Sequence, residues 1–300
     1  IDKVYSRKNL EKAYLTLKAN KGAPGVDGQT VYAYGENLKA ELDGLHLELK
    51  TGTYKPKPVR RVEIPKSDGS KRPLGVPTVR DRVVQQALLN VMQPIFDSEF
   101  HPSSYGYRPG RSCQQAVAKA ERHMNQHGFR YVVDMDLSKC FDRLDHELIL
   151  QGINRKISDG TVLRLIRRFL EAGVMKDGVY EDTEVGSPQG GVISPLIANI
   201  YLDHFDQAMR SKGIHIVRYA DDILIFARSP RQAEKYKKVA FRILEDELKL
   251  VVNREKTQIT SVNKGVPYLG FVIYRRYVVI NPKKVKAFKD TIRKLTPRNH

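Results

Sequence analysis

Apolar positions along this 300-residue chain recur with two different spacings, and the switches between them divide it into elements. Leu10, Ala13, Tyr14 and Leu17 stand three or four residues apart, which predicts a helix over residues 7–20. The loop KGAPGVDGQT (21–30) interrupts it with three glycines and a proline, and a second helical stretch runs through Leu49. Residues 55–65 (KPKPVRRVEIP) read as extended and basic, since their prolines forbid a helix interior, and SDGSKRP (67–73) reads as a turn. A long buried helix is expected over 79–96, with others over 114–126, 159–172, 195–211 and 231–250. RYVVDMD (130–136) is β-branched and reads as a strand, and Asp145 as the N-cap of the helix that begins HELIL. Ile214–Tyr219 and Ile223–Ala227 are apolar strands folded about Ala220, Asp221 and Asp222. VPYLGFVIYRRYVVI (266–280) reads as a hairpin. Asn281 and Pro282 then open a last helix with an apolar stripe of Val285, Phe288, Ile292 and Leu295. This order of strands and helices predicts an α+β fold in two joined subdomains divided near residue 100.

Composition narrows the function. At 41% hydrophobic and 29% charged, the chain can bury one or two cores. Lys and Arg number 52 against 34 Asp and Glu, a net charge of +18, which points to a polyanion and first to a nucleic acid; an inert basic surface is the plain alternative. No apolar run approaches the roughly 18 residues of a membrane span, and the N-terminus IDKVYSRKNLEK is amphipathic rather than a secretion signal. Cys113 and Cys140 lie far apart without a CxxC pair, which excludes a zinc ribbon or knuckle and suits a reducing cytosol. The eight histidines read as surface or satisfied polar groups. Beginning at Ile1 and stopping at PRNH, the chain reads as a fragment of a longer protein.

The chemistry concentrates at VRYADDILIFARS (217–229). A tight hairpin favours Asn-Gly or Asp-Gly, because its turn needs positive φ. This one has no glycine and sets two carboxylates between strands that belong in a core. An isolated acidic dipeptide is usually an exposed turn, but apolar flanks make an unpaired charge costly, and metal would offset that cost. Two Mg²⁺ ions about 3.5–4 Å apart can activate a hydroxyl and stabilise a leaving oxygen in phosphoryl transfer. Mg²⁺ takes one or two carboxylates together with substrate phosphates. Asp136 supplies a third carboxylate if its strand lies beside the hairpin in one sheet. Side chains alternate along a strand, so Asp221 and Asp222 are not expected to be equal ligands.

YADD between two apolar strands resembles the catalytic hairpin of reverse transcriptases. Other blocks similar to that family follow in order: DMDLSKCFDRLDH (134–146), GSPQGGVISPLIANIYL (186–202), LVVNREKTQ (250–258) and YLGF (268–271). KGAPGVDGQT, IPKSDGSKRPLGVP (64–77) and FHPSSYGYRPGRSCQQAV (100–117) resemble a narrower branch, the bacterial group II intron-encoded reverse transcriptases or maturases. The likeness runs from about residue 10 to 275.

The resemblance implies a right-hand polymerase-like fingers and palm, with an antiparallel palm sheet and helices packed behind it. Fingers would fill residues 1–100, palm and remaining fingers 101–281, and a cut-off start of linker or thumb 282–300. It implies a two-metal RNA-directed DNA polymerase using Mg²⁺, with Mn²⁺ as a substitute, on an intron RNA template, a DNA primer and deoxynucleoside triphosphates. Intron RNA binding would assist splicing in a cytoplasmic ribonucleoprotein. Exposed apolar surface would drive self-association of the fragment. A non-polymerising RNA-binding module, or another bacterial retroelement's reverse transcriptase, is the alternative.

By the same resemblance Asp136, Asp221, Asp222 and the Leu137 backbone carbonyl hold metal. Asp136 is preferred over its rival Asp134, on the same strand face, because Phe141 follows five residues later and would sit under the sugar. Asp142 reads as a local acceptor. Lys66, Arg72, Phe141, Gln189 and Lys256 would bind the nucleotide. Tyr268, Leu269, Gly270, Phe271, Arg108, Arg111, Ser187, Pro188 and Gly190 would contact primer or template.

Overall fold

The computed structural model describes residues 1–65, 69, 71–176, 178–182, 186 and 190–296. They form two compact units through which the chain passes more than once. The first holds Ile1–Phe100, Lys139–His204 and Leu248–Val251; the second holds His101–Ser138, Phe205–Glu247 and Val252–His300.

Helices α1 (Asp2–Tyr5), α2 (Arg7–Asn20), α3 (Val31–Glu36) and α4 (Leu38–Thr51) open the first unit. The stripe Leu10, Ala13, Tyr14 and Leu17 is the buried face of α2, as its spacing predicts. Strands β1 (Val59–Pro65) and β2 (Lys71–Val76) pair antiparallel from Arg60↔Val76 to Pro65↔Lys71. The long α5 (Val79–Asp97) follows, with Thr78 accepting from the Asp81 N–H as its N-cap.

The chain then enters the second unit through α6 (Cys113–Asn125), closed at its start by a Ser112–Gln115 capping box, and β3 (Tyr131–Met135). It returns to the first with α7 (His146–Asn154), α8 (Gly160–Leu170), β4 (Val174–Lys176) and β5 (Val179–Glu181). Asp145 caps α7 by accepting from the Leu148 N–H. The division near residue 100 is therefore one crossing among several. β4 pairs parallel with β1 at Val59↔Val174, which draws residues 139–204 back to the first sheet, ordered β2-β1-β4-β5.

Helix α9 (Ser194–Ser211) leads to β6 (Ile216–Tyr219) and β7 (Asp222–Ala227), then α10 (Pro230–Phe241). The helix expected over 231–250 is α-helical only to Phe241; Arg242–Glu247 widens into a π-helix in which Ile243 and Leu244 are wholly buried. The wider turn resets the phase of the apolar stripe. β8 (Gln258–Ser261) completes an antiparallel sheet ordered β6-β7-β3-β8, against which α6 and α10 pack.

β9 (Val266–Tyr268), β10 (Phe271–Ile273) and β11 (Val278–Ile280) form a meander rather than the single expected hairpin, because the chain reverses at both Leu269–Gly270 and Arg275–Arg276. α11 (Pro282–Leu295) is capped by Asn281, and its stripe is solvent-exposed at Phe288, Ile292 and Leu295.

His123, expected at the surface or satisfied, is neither. It is buried against Phe226 at 4.8 Å between ring centroids, its Nδ1 has no hydrogen-bond partner, and burial among cationic neighbours lowers its pKa to about 3. Among the described residues no helix is long and apolar enough to cross a membrane.

Candidate active site

The site grows out of the register of one sheet. β3 and β7 pair antiparallel from Tyr131↔Ala227 to Met135↔Ile223, so directly opposed residues share a face. On the even-numbered face, Val132 and Phe226 join a core with Ala116, Ala120 and Met124 of α6. One step along, Asp134 faces Leu224; carrying the register one further brings Asp136 opposite Asp222. The same face thus turns from hydrocarbon to carboxylate within two residues. Asp221 sits at the tip beside it, since β6 and β7 close at Tyr219↔Asp222 with only Ala220 and Asp221 between.

This crowding sets the protonation. Withdrawal from solvent, then the carboxylates of Asp221, Asp134 and Asp136, push the Asp222 pKa up to about 6. Asp222 keeps an exposed surface, so mutual repulsion is the firmer cause of the two. Burial and Asp136 likewise raise Asp134 to about 6, against a hydrogen bond from Gln258. Asp136 is anchored on the main chain, its carbonyl accepting from the Asn253 N–H at 2.9 Å, and Leu137 bridges to Val252. Lys256 Nζ stands 3.5 Å from the Asp136 carboxylate. With its side chain 69% exposed, this is a weak ion pair and leaves the lysine able to move.

The donor set is hard oxygen held under electrostatic repulsion, which a divalent cation would relieve, so the residues fit Mg²⁺. Among the described residues no three His, Cys, Asp or Glu side chains converge into a ready-made cage. That is compatible with an ion completed by solvent and substrate phosphate.

The turn answers the missing glycine. Ala220 itself adopts φ +56°, left-handed backbone that costs a non-glycine residue about 1–2 kcal/mol. Gly106 makes room for it: a Cβ there would lie 2.3 Å from the Ala220 nitrogen. Arg218 and Asp206, both wholly buried, pair beneath the turn. Arg218 Nη1 donates to the Ala220 carbonyl at 2.9 Å. Sequence reasoning overlooked Gly106, Arg218 and Asp206. The signal was an arginine inside an otherwise apolar strand, which must bury its charge against a partner.

The other expected site residues divide. Tyr268 is buried in the core, with its hydroxyl 3.5 Å from the Asp222 carbonyl. Leu269 (φ +49°) and Gly270 (φ +84°) form the tip of the β9–β10 turn, and Phe271 closes it opposite Tyr268. Arg108, expected at the template, is buried instead and donates to the carbonyls of His101 and Ser104, bracing the loop ahead of α6. Arg111 lies over the Tyr105 ring at 5.3 Å and donates to the Pro102 carbonyl. In the first unit, Phe141 is buried in a 3₁₀ turn, and Arg72 is exposed on β2 opposite Ile64. Gly190 abuts β2, where a Cβ would meet the Gly75 carbonyl oxygen at 2.4 Å. Lys66, Ser187, Pro188 and Gln189 lie outside the described residues.

An antiparallel sheet that gathers carboxylates at one hairpin and the adjoining strand end, with helices packed on it, is the palm of a polymerase. The sequence pattern of the family described as "Reverse transcriptase (RNA-dependent DNA polymerase)" matches residues 64–273, and the chain belongs to that family. It is 37% identical to "Protein YkfC" of Escherichia coli K12, covering 89% of this chain and 80% of that one. It is 30% identical to "Group II intron-encoded protein LtrA" of Lactococcus lactis subsp. cremoris, covering 93% of this chain and 57% of LtrA. Telomerase from Candida albicans, solved with the TWJ fragment of telomeric RNA, shares the fold at a TM-score of 0.60 and 12% identity, covering 90% of this chain and 54% of that one.

Proposed function

We propose that this chain is the catalytic part of an RNA-directed DNA polymerase that copies intron RNA from a DNA primer. The observation that carries the reading is the shared face of β3 and β7, which brings Asp136 and Asp222 together beside Asp221 in a chain of net charge +18. The second unit, with the carboxylate sheet, is the palm, and the first supplies the fingers.

Asp136, Asp221, Asp222 and the Leu137 carbonyl would hold two Mg²⁺ ions, or Mn²⁺ in their place. The ions would supply activation of the primer hydroxyl and charge stabilisation at the leaving pyrophosphate. Arg72, together with Lys66, binds the triphosphate, the arginine by its planar fork. Lys256, already beside Asp136, is placed to swing to the leaving group and give it a proton. Phe141 selects deoxyribose by filling the space a 2′-hydroxyl needs, and Gln189 packs near the incoming nucleotide. The turn at Leu269 and Gly270, with Tyr268 and Phe271, steadies the primer end. Binding of intron RNA and help in its splicing would be a companion activity, in keeping with the likeness to a protein encoded by a group II intron.

Primer extension on an RNA template tests the reading. Asp221→Asn should lower extension by at least about 100-fold, the scale on which loss of one electrostatic group acts. RNA affinity should hold or rise, because repulsion of phosphate falls. Asp134→Asn, outside the ligand set, should keep most activity. Extension by Asp221→Asn near the wild-type rate would sink the assignment.

A further inference from the structure

Arg218 is the largest wholly buried side chain among the described residues, and its guanidinium is divided between two tasks. Nε and Nη2 hold the Asp206 carboxylate at 2.6–3.0 Å, and Nη2 also reaches Ser104 Oγ at 2.9 Å. Nη1 donates to the Ala220 carbonyl at 2.9 Å. That carbonyl belongs to the peptide joining Ala220 to Asp221. The arginine backbone is tied as firmly: its N–H donates to the Ser103 carbonyl and its carbonyl accepts from the Tyr105 N–H, both at 2.9 Å.

A buried ion pair is a poor way to gain stability, because apolar side chains of the same volume do as well or better. What the pair offers here is direction. A planar fork fixed on one edge by a carboxylate aims its remaining nitrogen along a set line. That line ends on the strained left-handed turn at Ala220. We propose that Arg218, clamped by Asp206, is the positioning residue of this hairpin: it fixes the Ala220–Asp221 peptide plane and so the direction in which Asp221 presents its carboxylate. The inference rests on the polymerase reading for its consequence but on the hydrogen bonds alone for its geometry.

The test is a paired replacement, Arg218→Met with Asp206→Leu, which removes both charges at once and leaves no ion buried alone. Thermal midpoint, Mn²⁺ affinity by calorimetry and primer extension are read on the full chain. A positioning role predicts a folded protein with template KM unchanged and Mn²⁺ bound about 10–100-fold more weakly. It also predicts kcat lower by about 100-fold, the scale of a misplaced catalytic group. Adding Ala220→Gly should restore part of both losses, since glycine adopts positive φ without an anchor; a defect of packing alone would not be mended at the turn. Wild-type Mn²⁺ affinity in the folded pair variant overturns the proposal, and so does a loss that Ala220→Gly leaves untouched. If the pair variant fails to fold, Arg218→Lys, which keeps the charge and gives up the fork, is read the same way. Mn²⁺ binding needs neither primer nor nucleotide. A wild-type chain that binds the ion but extends nothing therefore counts against the polymerase reading alone.

Discussion

Asp134 and Asp222 both hold their protons up to about pH 6, well above the ordinary carboxylate range. The folded state therefore binds more protons than the unfolded chain between about pH 4 and 6, and these two groups make the ion-free protein less stable as pH rises through that window. Asp222→Asn removes one of them. Its thermal midpoint in a chelator should come closest to wild type below about pH 4, exceed it increasingly through about pH 4–6, and keep a constant lead above that. Mg²⁺ should narrow that gap, because it binds the deprotonated form that wild type alone provides in full. A gap that does not change with pH would show that Asp222 does not share its charge with the neighbouring carboxylates. The aspartates themselves were legible in the sequence, since acidic residues between apolar strands demand an explanation. Their unequal protonation was not, for it depends on which residues the register sets face to face.

Two hairpins carry proposed functional groups, and both place a non-glycine residue in left-handed backbone: Ala220 before Asp221, and Leu269 in the β9–β10 turn. Both central residues of the latter have positive φ, a turn for which Asn-Gly is the favoured pair. Leu269→Asn should relieve backbone strain and raise stability by up to about 1 kcal/mol. It should also raise KM for primer–template, because Leu269 packs against the core and holds the turn in place. A stability loss above about 1 kcal/mol, read from denaturant midpoints, would mean that packing outweighs strain at this turn. At this scale α2 was readable from its spacing, and the starts of α7 and α11 from their caps at Asp145 and Asn281. The π-turn after α10 was not, because the apolar spacing over 231–250 does not mark where the helix widens. Nor was the fate of Arg108, which reads as a phosphate ligand until its acceptors at His101 and Ser104 are seen.

At the scale of the whole molecule, charge and topology act separately. A chain of net charge +18 should bind RNA mainly by neutralising phosphates and releasing their counterions. Template affinity should fall by at least about 100-fold between 50 and 200 mM salt, the behaviour of proteins with several phosphate contacts, and should depend little on sequence. Fluorescence anisotropy over a salt series reads it directly; a less than twofold change would remove the basic surface from the account. The two units were only half legible in advance. A break near residue 100 shows in the pattern, but the return of residues 139–204 is decided by the distant pairing of Val59 with Val174, and no local spacing encodes that.

The strand order also has a history during synthesis. β3, which carries Asp134, has no partner on either side until β7 and later β8 have been made. The ribosome adds roughly 5–20 residues per second, so about 4–17 s separate Asp136 from Asp221. Throughout that interval the nascent chain owns no assembled carboxylate pair. Until Asp221 has been made, then, the emerging chain cannot bring its carboxylates face to face, however early Asp136 appears.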